Sequence, residues 1–279
     1  MASQAVIDAQ RAQNDLSEAR MSEIQASVAE SQKQVGKVED VAVLREEYAG
    51  NAAFLPKIES LCARFARIRR SRGDGNCFYR SFMFLHFQRL LEDASGERIT
   101  AAMTIASAIQ RALVDKLGYP ALTTEDFYEA YTEFLTEELK GMTVAQLEEK
   151  FADDFFDRQM IYFARLVASC AIQSNPDKFG AFAIAVGSAD VSSFCRQHVE
   201  PVNIEADQIQ IIGLVDGFQQ SVEVVYLDGS GGDLNSHKFS PEGSDSPSST
   251  SSPSSSDPAS EPSFFPLLYR PGHYDCLYH

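Results

Sequence analysis

The sequence predicts an α+β fold, and three observations predict it. Helically spaced apolar residues fill the chain from Val41 to about residue 200, strand-like runs gather near the C-terminus, and no repeating βαβ unit links the two. The chain has 279 residues, 44% apolar and 10% aromatic. That is enough to bury a sizeable core, which excludes disorder throughout and favours one globular domain of about 200 to 250 residues with appendages.

Residues 1–37 form the first segment. Residues 1–35 lack Gly and Pro, are rich in Ala, Gln, Glu and Ser, and carry only thin apolar punctuation at Val6, Ile7, Leu16, Met21, Ile24 and Val28. This predicts a helical arm, partly disordered alone, that is too polar to pack a core, and Gly36 is expected to end it. The folded domain is placed over residues 38–279. Phe54, Ile58, Leu61, Cys62 and Phe65 recur at helical spacing, and Ser71 to Asn76 is a cluster of turn formers. Cys77 to Leu85 is apolar on most faces and suits a buried helix. Amphipathic helices follow at Thr124 to Lys140, Thr143 to Phe156 and Arg158 to Ile172, and strands at Val222 to Leu227, Phe264 to Arg270 and His273 to Tyr278. Between the last groups, residues 240–263 hold 12 Ser and five Pro among 24 residues, with no aromatic. Such a segment cannot bury anything useful, so a disordered insertion is expected there, and its Ser-Pro pairs leave phosphorylation open.

Charge and cysteine usage narrow the function classes. Lys plus Arg is 24 against 40 for Asp plus Glu, a net −16, and the longest basic block is Arg67-Ile68-Arg69-Arg70. Nucleic acid and anionic membranes are poor partners for such a chain. The first residues are polar rather than an apolar leader, so a cytoplasmic protein is expected, with the nucleus as a second compartment. Five dispersed cysteines (Cys62, Cys77, Cys170, Cys195, Cys276) without a CxxC pair suggest reduced thiols, and the histidines supply no metal-ligand cluster. Neither metal nor cofactor is expected.

The chemistry concentrates at two places. A helix N-terminus stabilises a thiolate through its unpaired N–H groups and the positive end of the macrodipole, and Cys77 opens the buried helix with Asn76 as its expected N-cap. Gly73 and Gly75 let the preceding loop fold tightly, so that N–H groups near Asp74 and Cys77 can converge on a developing oxyanion. A cysteine there is also what plain packing would give, and a redox-sensing thiol would look the same. Among the histidines, His86 follows Cys77 by nine positions and so lies on the opposite helix face about 13 Å along. His198, His237 and His279 read as solvated or structural. His273 differs, because Pro271-Gly272 turns it into the first position of a strand where Asp275 shares its face, about 6.6 Å along. Asp275 could then hold the imidazole's tautomer as the third member of a triad.

These residues carry a family resemblance. Asp74-Gly75-Asn76-Cys77-Phe78-Tyr79-Arg80 is similar to the nucleophile motif of the ovarian-tumour (OTU) cysteine deubiquitinases. Phe194-Cys195-Arg196-Gln197, Val199-Glu200-Pro201, Pro241-Glu242-Gly243-Ser244 and Leu267 to Asp275 resemble the otubain branch. The resemblance implies a papain-like OTU catalytic domain over 38–279, with a small, mostly antiparallel sheet packed between helical lobes. It implies hydrolysis of isopeptide bonds at the C-terminal glycine of ubiquitin in polyubiquitin chains. Cys77 would be nucleophile, His273 general base then acid, Asp275 its orienting partner, and Asp74 the residue whose backbone helps form the oxyanion pocket. By the same analogy, ubiquitin contacts are expected at Val191, Phe194, Cys195, His198, Val199, Glu200, His237 and Phe239. An alternative implied function is non-catalytic capture and inhibition of a ubiquitin-conjugating enzyme through the N-terminal arm.

Overall fold

The computed structural model describes residues 32–230, 232–243 and 264–279. Residues 1–31 of the expected helical arm and most of the Ser/Pro-rich insertion lie outside the described residues. Six strands form one sheet in the order β1-β2-β6-β5-β3-β4: β1 (Val35–Asp40), β2 (Arg67–Ser71), β3 (Val222–Tyr226), β4 (Asn235–Phe239), β5 (Phe265–Arg270) and β6 (His273–Tyr278). Every neighbouring pair is antiparallel except β3 with β5.

The sheet buries both faces because its central strands alternate between two cores. Val222, Val224, Leu267 and Cys276 point into the larger one, while Val225, Leu268, Leu277 and Ile68 point into a smaller one with Val41, Leu44, Phe54, Ile58, Leu61 and Phe65. The smaller lobe is built on α1 (Leu44–Glu47) and α2 (Leu55–Arg64). The larger holds α3 (Cys77–Leu91), α4 (Glu97–Arg111), α5 (Ala121–Glu133), α6 (Val144–Phe151), α7 (Asp154–Gln173), α8 (Pro176–Ala185), α9 (Val191–Phe194) and α10 (Gln208–Phe218). Helix α3 runs through its centre: 12 of its 15 residues are buried, so an apolar face in the amphipathic sense does not exist. Helices α7 and α10 pack so closely that a Cβ at Gly213 or Gly217 would meet Ile172 or Val167 at 2.7 and 2.5 Å.

One expectation is corrected here. Gly36 does not end a helix; it lies inside β1, at a register irregularity between Val35 and Val38, where a residue without a side chain fits beside Arg70. The basic block Arg67 to Arg70 lies in strand β2, where the charges of Arg69 and Arg70 are met locally while Arg67 is exposed. Arg69 is buried over the Phe84 ring and donates to the Gly36 carbonyl, the Tyr278 hydroxyl and Glu148. Arg70 reaches Glu39 and Glu47.

Candidate active site

Cys77 is the first residue of α3 and is 2% exposed. The chain before it makes a tight turn in which Gly75 adopts φ 79°, and no side chain fits there, since a Cβ would lie 2.4 Å from the Asn203 carbonyl oxygen. Asn76 occupies the N-cap position but caps nothing with its side chain. Its Oδ1 instead accepts from the Asn203 N–H at 2.8 Å and from Arg165 at 2.8 Å, while its Nδ2 donates to Asn203 Oδ1 at 2.8 Å. The expected cap is therefore a tie between two loops.

His273 is delivered as expected. Arg270 and His273 are paired across the β5–β6 hairpin, and Gly272 at φ 73° supplies the left-handed turn residue. Nε2 of His273 lies 2.7 Å from Asp275 Oδ1, and the imidazole is electrostatically coupled to Cys77. Burial works to depress the imidazole, but the Asp275 hydrogen bond and the negative charges of Asp275 and of a Cys77 thiolate outweigh it and hold it raised at about 9. The Asp275 carboxylate is fully buried. Burial pushes it up, yet His273, Arg270 and the Ser71 N–H together hold it below the ordinary carboxylate range. Its partners are explicit: Oδ1 accepts from the Ser71 N–H at 3.0 Å, and Oδ2 from Arg270 at 2.6 Å. Cys77, His273 and Asp275 thus meet at the junction of α3 and β6. Beside His273 opens a cavity of about 500 Å³ whose lining includes Lys33, Glu47, Arg70, Gly73 and Arg270.

Asp74 lies in the turn before Cys77, and its N–H donates to the Arg72 carbonyl at 3.1 Å. Its carboxylate accepts from the buried Arg80 through two bonds of 3.0 and 2.6 Å and also from the Asn76 N–H. Burial opposes ionisation, but Arg80 holds Asp74 below the ordinary range. Arg80 in turn grips Asp157 of α7 at 2.8 and 2.9 Å and the Arg72 carbonyl at 3.1 Å. All five of its donors therefore serve the nucleophile loop and its support.

The expected ubiquitin contacts divide by burial. Val191, Phe194, Cys195 and Val199 are core residues, 8% exposed or less, and Phe194 packs against Phe182. Glu200 is half-buried and accepts from Tyr119 and Ser169. His198 and Phe239 are half-exposed and His237 is exposed. Sequence reasoning missed Arg270, Arg80, Asp157, Arg165 and Asn203. Two carried a signal: Arg80 closes the motif that begins at Asp74, and the Pro271-Gly272 turn pairs Arg270 with His273 across the hairpin.

The family model for Peptidase C65 Otubain matches residues 27–279. The chain belongs to the otubain family. This otubain is 34% identical over 254 residues to OVARIAN TUMOR DOMAIN-containing deubiquitinating enzyme 1 of Arabidopsis thaliana, covering 88% of this chain and 80% of the relative. It is 34% identical over 262 residues to Ubiquitin thioesterase OTUB1 of Homo sapiens, covering 93% and 88%. A solved structure described as h/ceOTUB1-ubiquitin aldehyde-UBCH5B~Ub superposes on this otubain with a TM-score of 0.80 at 28% identity, covering 96% of this chain and 98% of that one. The α+β architecture is that of the OTU fold.

Proposed function

We propose that this otubain is a cysteine-type deubiquitinase that hydrolyses the isopeptide bond at the C-terminal glycine of ubiquitin. The observation that carries the reading is the His273 imidazole, hydrogen-bonded to Asp275 and electrostatically coupled to Cys77 at a helix N-terminus. Its relatives' names as ubiquitin thioesterases support the substrate class.

The geometry sets the order of proton movements. Because the imidazole is raised to about 9, it already carries the proton given up by Cys77 at neutral pH; with Nε2 committed to Asp275 the imidazolium stands beside a thiolate, whose sulfur attacks the glycine carbonyl carbon. The tetrahedral oxyanion gathers at the α3 N-terminus, where the first N–H groups have no intrahelical acceptor. Collapse breaks the C–N bond, and the imidazolium returns its proton to the departing lysine amine, leaving a thioester. Water then attacks with His273 as base, and the thiol is regenerated with a free ubiquitin carboxylate. Asp275 keeps the ring oriented and its charge balanced throughout.

The test is incubation with di-ubiquitin and with a ubiquitin vinyl-sulfone probe, for the full chain and for Cys77→Ser. Cleavage and labelling by the first but not the second are expected; equal cleavage by both would reject Cys77 as nucleophile.

A second role, inhibition of a ubiquitin-conjugating enzyme, is favoured by the structural neighbours, which are OTUB1 complexes containing UBCH5B~Ub or UBC13~Ub. Val35 belongs to β1 and Gln34 bonds Asp154, so the arm is best removed as residues 1–31. That deletion is expected to abolish inhibition of ubiquitin transfer while Cys77→Ser retains it; the opposite pattern would reject the role.

A further inference from the structure

We propose that Asn203 is a positioning residue for the nucleophile: its paired bonds to Asn76 fasten the segment after Val199 to the turn that presents Cys77. The inference rests on the deubiquitinase reading for its kinetic consequence and on geometry alone for the fastening.

Asn203 is exposed and holds φ 63°, a left-handed conformation that asparagine tolerates better than most residues. That conformation lets one residue offer both an N–H and a side-chain carbonyl to the same partner amide, Asn76, which is 5% exposed. The backbone closes the contact further, since the Asn203 carbonyl lies where a side chain on Gly75 would be. Beneath the pair sits Arg165, 1% exposed, in the middle of α7. It stacks over the Tyr79 ring at 4.2 Å and donates to the Gly75 carbonyl, Asn76 Oδ1 and the carbonyls of Val199 and Ile204. One buried cation thus bonds the nucleophile turn and both ends of the 199–204 segment. A buried guanidinium that satisfies carbonyls from two loops fixes their separation, because moving either loop would strand a charged donor. Gly75, Asn76 and Cys77 are consecutive, so this separation sets where the sulfur stands relative to His273.

Arg165 is too deeply bonded for an informative deletion, but Asn203 is on the surface. Asn203→Gly keeps the left-handed backbone without strain and removes the Oδ1 acceptor. Asn203→Asp keeps that acceptor. The full chain and both variants would be compared by amide hydrogen exchange over residues 72–78, by kcat and KM on di-ubiquitin, and by ubiquitin affinity in a Cys77→Ala background. For Asn203→Gly, exchange over 72–78 is expected to quicken at least about threefold and kcat to fall about tenfold, with KM and ubiquitin affinity unchanged, since sub-ångström misplacement of a reacting group acts on turnover. For Asn203→Asp, exchange is expected to stay at the wild-type rate. Unchanged exchange in Asn203→Gly, or a rise in KM with kcat intact, would overturn the proposal; the latter would make Asn203 a plain ubiquitin contact. If the wild-type chain cleaves no ubiquitin substrate, the deubiquitinase reading fails, and the exchange comparison alone decides the fastening.

Discussion

Nε2 of His273 and Oδ1 of Asp275 are 2.7 Å apart on neighbouring same-face positions of β6, which leaves Nδ1 as the ring nitrogen not committed to Asp275. The folded imidazole is raised from 6.5 to about 9. Its contribution to stability is therefore complete below 6.5 and is lost as pH rises through about 9. The alkaline limb of a kcat/KM profile on a fluorogenic ubiquitin substrate is expected near pH 9. In Asp275→Asn the carboxylate no longer raises the ring, so the limb should move to lower pH and kcat fall by at least about tenfold. A limb that stays in place would separate the Asp275 charge from the imidazole's titration.

Gly75 and Gly96 offer a matched pair. Both sit at similar positive φ, 79° and 75°, but a Cβ at Gly96 meets nothing within 4 Å while one at Gly75 runs into Asn203. Gly96→Ala is expected to cost about 1 to 2 kcal/mol from left-handed strain alone. Gly75→Ala should cost clearly more and also remove activity. Urea unfolding of the two variants checks this, and equal midpoints would mean that the 203 loop yields freely.

Arg80 is 1% exposed between Asp74 and Asp157. Burial pushes the Asp157 carboxyl up against the pull of that guanidinium, so removing the cation leaves two carboxylates facing each other without a counter-charge. Arg80→Met should cost about 3 to 5 kcal/mol, the usual result of breaking a buried pair from one side. Adding Asp157→Leu should recover part of that loss, measured as a shift in the urea midpoint.

His86 is buried, bonds the Tyr131 hydroxyl at 2.8 Å, and is pushed down to about 3, first by burial and then by the charge of Arg89. Because the unfolded ring takes a proton near 6.5 and the folded one does not, stability should fall as pH drops below 6.5 toward 3, by up to about 1.4 kcal/mol per pH unit from this residue. His86→Gln can still bond Tyr131 but cannot titrate. Denaturation at pH 7.5 and pH 5 should therefore show a smaller acid penalty in the variant.

The sequence disclosed what periodicity and turn chemistry encode. Helix α3 announced itself by an unbroken apolar run after a glycine turn, and β6 by alternation after Pro271-Gly272, so Cys77, His273 and Asp275 could be named. Strand β2 could not, because Arg67-Ile68-Arg69-Arg70 looks like a solvated basic block until Glu148, Glu39 and Glu47, distant in sequence, arrive to neutralise it. Asn76 had the right identity and position for a cap, and only the approach of Asn203 and Arg165 redirected it. The core positions of Cys195 and Val199 were hidden for a related reason. A π-helical turn over Cys195–Val199 changes which side chains face inward, and helical spacing does not reveal it.

Val222 is paired on one side with Phe239 and on the other with Phe265. The chain therefore departs from β4 and rejoins at β5 across a single intervening strand, roughly 10 Å away. Both margins are anchored: Glu242 is held by Asp216 and Lys178, and the Phe265 N–H donates to the Ser221 carbonyl. Between two such fixed posts, doubling the number of residues costs only about 0.6 kcal/mol in closure entropy. A longer or shorter span between the posts would therefore cost the fold little, and the hairpin that carries His273 would stay where it is.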